Sequence, residues 1–176
     1  MKKLIYVTIL SALTFTACEE SKTGGCIDPL AINYERWADF DDGSCTYEAD
    51  VVFFYDAITA NELNGYDDLL WGLIDRLDYY IEEEPGTFIL VGSEYPTPSY
   101  VYAGVPNCYD DTYVTAPIQW YGENSTHIKY MVYGVHEALI VKETLIDEYS
   151  FDLDANDCAA VPIRFLSKKN RIETNK

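Results

Sequence analysis

Short apolar runs dominate the chain after residue 50, and polar residues or Gly and Pro separate them. Val, Ile, Tyr and Phe are frequent in these runs. Ile128, Tyr130 and Val132 alternate with other residues as in a strand that buries one face. Glu84-Pro85-Gly86 lies between two runs and suits a hairpin turn. The pattern predicts strands over 51–55, 77–82, 87–92, 113–120, 126–133, 138–144 and 159–165.

One segment, residues 67–82, fits two interpretations. Its apolar residues recur at the spacing of an amphipathic helix, namely Leu69, Leu70, Leu73, Ile74, Leu77 and Ile81. We favour a strand, because several short motifs of the chain, described below with the family they resemble, are similar to those of a small β-rich domain. The expected fold class is mainly β, with a small antiparallel β-sandwich-like domain over 50–166 and a polar basic tail over 167–176. A short disulfide-closed turn module is expected to precede the domain.

The first residues have the pattern of a bacterial export signal. Lys2 and Lys3 precede an apolar run over 4–15, which is shorter than the roughly 20 residues that a membrane-spanning helix needs. The sequence therefore predicts a signal peptide over 1–17.

The end of this signal resembles the lipobox of bacterial lipoproteins, because Cys18 directly follows the small residue Ala17. It departs from the common pattern in having Phe15 where Leu is usual. The resemblance implies a membrane anchor through a lipidated Cys18 and a tether over 18–25. The alternative is an ordinary signal peptide that is cut near Ala17.

The cysteine count agrees with the lipid assignment. The chain has five Cys, so a lipid on Cys18 leaves four for disulfides, and four Cys allow three connectivities. Spacing and the segment boundary favour a pair within residues 26–45 and a second pair within 108–158. We therefore expect Cys26 to bond to Cys45, and Cys108 to bond to Cys158.

A recognisable module occupies residues 26–47, where the sequence from residue 25 reads GCIDPLAINYERWADFDDGSCTY. It resembles the GC-x-DP-x-A-x-NY…DDGSC-x-Y module of secreted and surface proteins of Bacteroidota. Asp28-Pro29 and Asp42-Gly43 are turn-forming pairs, so a knot of turns closed by its two Cys is expected. Several short motifs behind it loosely resemble the small β-rich domain that follows this module in other such lipoproteins: 51–56, 59–61, 107–108 and 156–158.

Asp39, Asp41 and Asp42 in this module are candidates for a calcium site. Carboxylate oxygens are the ligands that calcium prefers, and several are crowded here. The favoured alternative is that these Asp residues cap turns and keep the module soluble. Calcium is the only cofactor for which the sequence offers a candidate.

The net charge of the chain restricts the kinds of partner that it can bind. The chain has 30 acidic and 12 basic residues, a net charge of −18, which argues against nucleic acid because that partner requires clustered Lys and Arg. Glu19 and Glu20 directly follow the anchor and resemble the export signal of surface lipoproteins in the Bacteroidota. The resemblance implies an outer-membrane lipoprotein that faces outward, and the alternative is one that faces the periplasm.

No motif indicates catalysis. His127 and His136 lack zinc-ligand spacing, and no G-x-S-x-G motif is present. Residues 152–157 begin like a calcium-binding EF-hand loop, but Asp157 and Ile163 stand where that loop needs Gly and Glu, so a turn is expected there. The sequence therefore predicts that the protein is not an enzyme, and a hydrolase is the less favoured reading.

Aromatic residues make up 15% of the chain and suggest binding. Trp71, Trp120 and Tyr121 are ligand-binding candidates, because exposed rings can stack on sugars or anchor a protein partner. The alternative is that most of the aromatic residues pack in the core or on a sheet face. The first hypothesis is a surface binding or interaction module for a glycan or protein. The second is a structural surface lipoprotein domain without a dedicated ligand.

Overall fold

The computed structural model describes residues 21–68, 72–96, 106–109, 111–137 and 141–165. The predicted signal peptide, Cys18, Trp71 and the basic tail lie outside these residues. Among the described residues no helix is long and apolar enough to cross a bilayer. The described elements, in chain order, are β1 Gly24–Gly25, β2 Phe40–Asp41, β3 Thr46–Phe54, α1 Ala57–Gly65, β4 Asp67–Asp68, β5 Gly72–Leu73, β6 Arg76–Glu84, β7 Thr87–Glu94, β8 Val114–Tyr121, β9 Ser125–His136, β10 Lys142–Asp154 and β11 Cys158–Pro162.

Two sheets form the body of the protein and confirm the predicted mainly β, sandwich-like fold. One sheet has four antiparallel strands in the order β10-β9-β6-β7. The other has three strands in the order β11-β3-β8, where β3 is antiparallel to β8 and parallel to β11. The parallel pair is a departure from the expected antiparallel arrangement. It arises because β11 joins the second sheet beside β3 instead of extending the first sheet beside β10.

The hydrophobic core lies between these sheets. Alternate residues of β3, such as Val51 and Phe53, face inward and are buried. The Phe53 ring centroid lies 5.0 Å from that of Tyr79 in β6 and 5.5 Å from that of Tyr130 in β9. Phe53 therefore contacts both central strands of the opposite sheet.

The helical interpretation of residues 67–82 is wrong, because most of the described residues there belong to β4, β5 and β6. Strand β6 is paired on one side with β7 and on the other with β9, so both of its edges have hydrogen-bonding partners. Leu77 and Ile81 are buried and lie four residues apart. A spacing of four is close to one helical turn and is also a multiple of two, so it fits one face of a helix and one face of a strand equally well.

Helix α1 was not predicted. It begins after Asp56, whose side chain accepts a hydrogen bond of 2.7 Å from the backbone N–H of Thr59. Ala60 and Leu63 are buried and contribute to the core, whereas Ile58 is 68% exposed. The helix is only nine residues long, and so few buried residues do not produce a clear periodicity.

The predicted strand over 138–144 is misplaced. Strand β10 spans Lys142–Asp154, and residues 138–140 lie outside the described residues. Acidic residues recur through β10, so the alternation of apolar and polar residues that marks a strand is not apparent in its sequence. The expected turn before Cys158 is present at residues 155–156, where Asn156 has φ 63°.

Both predicted disulfides are present, Cys26–Cys45 and Cys108–Cys158. The module is continuous with the sandwich, because β3 begins at Thr46, directly after Cys45. The boundary predicted between 47 and 50 therefore falls inside a strand. Asn156 at the β10–β11 turn donates a side-chain hydrogen bond of 2.9 Å to the carbonyl of Leu30 in the module, which is a further connection between the module and the sandwich.

Candidate ligand-binding cleft

A cleft separates strands β10 and β11. Each strand lies at the edge of its own sheet, and the turn at 155–156 joins them. The cleft has a volume of about 450 Å³. The residues that line it are Tyr130, Asp147, Tyr149, Phe151, Ala159, Ala160, Val161, Pro162 and Arg164.

A β-bulge in β10 positions the polar and aromatic residues of this cleft. The pairing of β10 with β9 shifts between Leu145 and Asp147, and Ile146 and Asp147 are both buried although they are adjacent. Since side chains alternate along a strand, one extra residue reverses which positions face inward. The reversal brings Asp147, Tyr149 and Phe151 to the face of β10 that lines the cleft.

Asp147 connects the two sheets. Its Oδ2 accepts hydrogen bonds from the backbone N–H of Arg164, at 3.0 Å, and from the Tyr130 hydroxyl, at 3.1 Å. Its Oδ1 accepts one from the backbone N–H of Glu148, at 2.9 Å. The residue is only 7% exposed, and burial raises the pKa of the Asp147 carboxyl although these hydrogen bonds oppose the rise.

Aromatic rings form one wall of the cleft. Tyr130 is buried, and the ring of Phe151 packs edge-on against it with centroids 6.4 Å apart. Burial, together with the nearby Asp147, raises the pKa of the Tyr130 hydroxyl, so this group remains a proton donor to the carboxylate. Tyr149 is 64% exposed and presents its ring at the mouth of the cleft.

Arg164 contributes the only positive charge among the described residues that line the cleft. It lies beside the end of β3, because the preceding Ile163 donates a backbone hydrogen bond of 2.7 Å to Phe54. Hydrogen bonds from Thr59 lower the pKa of the nearby Asp56 carboxyl, and the charge of Arg164 adds to that effect. The same charge also opposes the rise in the pKa of Asp147.

The sequence-based aromatic candidates do not meet in this cleft. Trp71 is outside the described residues. Trp120 packs between the module and the sandwich core, stacks on Tyr47 with centroids 6.0 Å apart, and donates its indole N–H to the carbonyl of Glu123 at 2.7 Å. Tyr121 is 81% exposed but does not line the cleft. Adjacent residues of β8 face opposite ways, so Trp120 and Tyr121 do not share a surface.

The three Asp residues proposed for calcium each accept a backbone N–H. Asp39 accepts from Thr23 at 2.9 Å, and Asp41 accepts from Gly43 at 2.9 Å. Asp42 accepts from Ser44 at 3.0 Å. The contacts of Asp41 and Asp42 are those of turn-capping residues, whereas Asp39 joins the module to Thr23, sixteen residues earlier in the chain. Within the described ranges no three His, Cys, Asp or Glu residues form a group that could hold a metal ion.

The two histidines make separate contacts at opposite ends of β9. His127 Nδ1 lies 2.8 Å from Asp152 Oδ1 on the surface. His136 is fully buried, with Nδ1 2.9 Å from the carbonyl oxygen of Leu73 and Nε2 3.4 Å from the Thr144 hydroxyl. Neither histidine lines the cleft.

Sequence analysis missed the cleft because it missed most of β10. The alternation of Tyr149, Phe151 and Leu153 is the signal that could have revealed this strand. Nothing in the sequence marks the bulge that turns Asp147 inward. This residue would have been assigned to the exposed face from the alternation of Thr144 and Ile146 alone.

The shape and lining of the cleft share features with small-ligand sites. A concave, mostly apolar surface with a few convergent polar groups is the usual form of such sites. The chain matches no protein-family model, no curated protein and no solved structure. The geometry of the cleft is therefore the basis on which a function can be inferred.

Proposed function

We propose that this protein is a membrane-anchored extracytoplasmic binding module that holds a glycan in the cleft between β10 and β11. The observation that carries the proposal is the cleft itself, which combines aromatic walls with a buried carboxylate and an arginine. Its volume of about 450 Å³ is within the range of about 300–1,000 Å³ that small-ligand sites occupy.

The anchored, extracytoplasmic part of the proposal rests on the first residues of the chain. The signal-like segment and Cys18 support lipid attachment, and Glu19 and Glu20 support an outward-facing position on the outer membrane. Two disulfides add support, because such bonds persist mainly in oxidising compartments.

A glycan suits the cleft better than a protein surface does. Stable protein partners usually bury about 800 Å² on each side, whereas this site is concave and of limited volume. A sugar ring has a face of C–H groups that can pack on the rings of Tyr149 and Phe151, and hydroxyls that can bond to Asp147 and Arg164. Among the described residues one carboxylate lines the cleft, whereas glycoside hydrolysis uses a pair, so binding without turnover is the proposed activity.

A glycan array tests the binding function. The mature chain from Cys18 onward, in detergent, should bind a subset of glycans, and Tyr149→Ala with Phe151→Ala should abolish that binding. Tyr121→Ala is the matched control, because Tyr121 is also exposed but does not line the cleft. Undiminished binding by the cleft variant would refute the proposed site, and product release from bound glycans would reassign the protein as a hydrolase. Failure to bind any glycan would favour a structural domain.

The anchor is tested separately. Cys18→Ala should release the protein from membranes, because acyl chains contribute about 0.8 kcal/mol for each buried methylene. Protease treatment of intact cells should remove the domain if it faces outward. Protection of the domain on sealed cells would instead indicate the periplasmic orientation.

A further inference from the structure

Large apolar side chains are exposed throughout the disulfide module. Six of them fall between residues 27 and 40, namely Ile27, Leu30, Ile32, Tyr34, Trp37 and Phe40. Single exposed apolar side chains are ordinary on a protein surface, whereas a cluster of them in so short a segment usually marks a contact with a membrane or another protein. The module therefore presents a surface that a partner can cover.

The two rings that matter most here are those of Trp37 and Phe40. The backbone N–H of Ala38 donates to the carbonyl of Glu35 at 3.1 Å, so Trp37 occupies a central position of a tight turn, and its ring is 80% exposed. The Phe40 ring packs on Gly24, where an added Cβ would lie 2.9 Å from it, and the rest of that ring is exposed. Both rings are thus held by the backbone and open to solvent.

The tether enters the module beside these two rings. Thr23 donates its backbone N–H to Oδ2 of Asp39 at 2.9 Å, and its carbonyl accepts the backbone N–H of Asp39 at 2.8 Å. Asp39 lies between Trp37 and Phe40 in the chain. Thr23 is five residues after Cys18, and five extended residues span at most about 18 Å. A lipid on Cys18 would therefore keep the membrane surface within reach of both rings.

The chemistry of these side chains suits the surface of a bilayer. Trp and Tyr are enriched where the hydrocarbon meets the headgroups, because their rings are apolar and carry a polar N–H or O–H. The anchor also confines the module to the surface, which gives it a high effective concentration there. A contact too weak to hold a free protein can then persist.

The charge of the module restricts the kind of surface. Residues 24–45 include five acidic residues and one basic residue, a net charge of −4. Anionic headgroups would repel the module, and a second copy of it would bring the same negative charge. Zwitterionic headgroups impose no such repulsion and allow the apolar contact.

We infer that the module lies on the membrane surface, with the rings of Trp37 and Phe40 among zwitterionic lipid headgroups. The inference rests on the proposed lipid anchor at Cys18. Strand β3 begins directly after Cys45, and Asn156 of the sandwich bonds to the module. The contact therefore also sets the orientation of the sandwich relative to the membrane.

Quenching of tryptophan fluorescence by brominated lipids tests the contact. The mature lipidated chain is inserted into phosphatidylcholine vesicles with bromine on the acyl chains near the headgroups, and into matched vesicles without bromine. We expect the native chain to be quenched and Trp37→Phe to lose that quenching, since Trp71 and Trp120 are present in both chains. The substitution should not disturb the fold, because the Trp37 ring is exposed.

A matched control places a tryptophan far from the tether. Tyr95 is also exposed, and it follows β7 at the end of the sheet that contains His136, whereas the module lies at the end that contains Ser125. Tyr95→Trp in the Trp37→Phe chain should therefore add fluorescence that brominated lipids do not quench. Added phosphatidylglycerol at low salt should not increase the quenching of Trp37, because the module is acidic.

The outcomes separate the contact from the anchor. A chain that does not stay with the vesicles would overturn the anchor and this inference together. A chain that stays, but whose quenching Trp37→Phe does not reduce, would overturn the contact and leave the anchor intact. Equal quenching of the Tyr95→Trp control would overturn the module as the contacting region, and stronger quenching with phosphatidylglycerol would overturn the zwitterionic preference. Crosslinked dimers in which Trp37 is shielded from aqueous acrylamide but not quenched by lipid would assign the surface to a second copy instead.

Discussion

The disulfide module and the β-sandwich are stabilised in different ways. Among the described residues, the buried cluster of the module comprises four, Cys26, Ala31, Cys45 and Tyr47, whereas that of the sandwich comprises eighteen, which include residues of both sheets and α1. Many apolar residues of the module are instead exposed, and Trp37 is 80% exposed. Apolar composition is therefore a poor guide to the core in the module and a good one in the sandwich.

Polar side chains take over the role of the missing core in the module. Asn33 accepts a hydrogen bond from the backbone of Thr46 at 2.8 Å and donates one to the carbonyl of Ser44 at 2.7 Å. The Tyr47 hydroxyl donates to Asp28 at 2.9 Å. Burial and this contact raise the pKa of Tyr47 to about 12. Such contacts depend on residue identity at particular positions of the module.

The largest expected effect is in the sandwich core. Phe53→Ala should lower the free energy of unfolding by about 3–5 kcal/mol, because it leaves a cavity between Tyr79 and Tyr130. Urea denaturation measures the loss. Trp37→Ala in the module is the control and should change stability by less than about 0.5 kcal/mol, since that ring is exposed. Similar losses for both variants would contradict the contrast between the regions.

Removal of the module disulfide should have a more local effect. Cys26→Ser with Cys45→Ser opens a loop with a sequence separation of 19 and should cost roughly 3 kcal/mol. Hydrogen exchange should show lost protection at the backbone N–H of Ile32, which bonds to Thr46, and retained protection at Val51 in β3.

Cys108→Ser with Cys158→Ser provides the reciprocal control. This pair closes a longer loop, with a separation of 50, and lies in the sandwich. Its removal should lower the stability of the sandwich and leave the protection of Ile32 unchanged. Loss of protection throughout the chain in the Cys26→Ser with Cys45→Ser variant would show that the module and the sandwich unfold together.

A smaller effect is expected at the contact between Tyr47 and Asp28. Tyr47→Phe keeps the ring that stacks on Trp120 and removes only the hydroxyl that donates to Asp28. The expected loss is about 1 kcal/mol, measured from the protection of the module amides. Tyr121→Phe, which alters an exposed hydroxyl in β8, should have no effect. An equal loss in both variants would argue against this hydrogen bond.

The smallest expected effects distinguish the regions by the sign of their pH dependence. Hydrogen bonds from Ser44 lower the pKa of Asp42 in the module below its ordinary value of 3.8. Burial raises the pKa of Glu94, which accepts a hydrogen bond from Tyr79 in the sandwich, above its ordinary value of 4.5. The stability from Asp42 is present above pH 3.8 and is lost as pH falls, whereas that from Glu94 is present below pH 4.5 and is lost as pH rises.

Two substitutions measure these opposite dependences of stability on pH. Glu94→Gln should become more stable relative to the native chain as pH rises above 4.5, and Asp42→Asn should be less stable than the native chain only above pH 3.8. Thermal denaturation between pH 3 and 7 follows both. If the two carboxyl groups changed stability in the same direction with pH, the proposed difference between the surroundings of Asp42 and Glu94 would be contradicted.

Much of the fold could be predicted because its signals are short-range. The hairpin at Pro85 and Gly86 is present between β6 and β7, and Gly86 has φ 83°, which Gly adopts without strain. The strand around Ile128 to Val132 could be predicted from the alternation of Ile128, Tyr130 and Val132 with other residues. These three alternate residues are buried in the structure. The local sequence of residues 67–82 does not distinguish a helix from a strand, because Leu77 and Ile81 fit the spacing of both. Pairing with β7 and β9 selects the strand.

The amino-acid sequence by itself determined the mainly β class, the two disulfide pairs and the turn-rich module, because each depends on residues close in sequence or on cysteine spacing. The tertiary structure alone decided the parallel pairing of β3 with β11 and the bulge before Asp147. The cleft depends on both, since β10 and β11 are edges of different sheets and their separation is set by how those sheets pack. No local pattern encodes that separation.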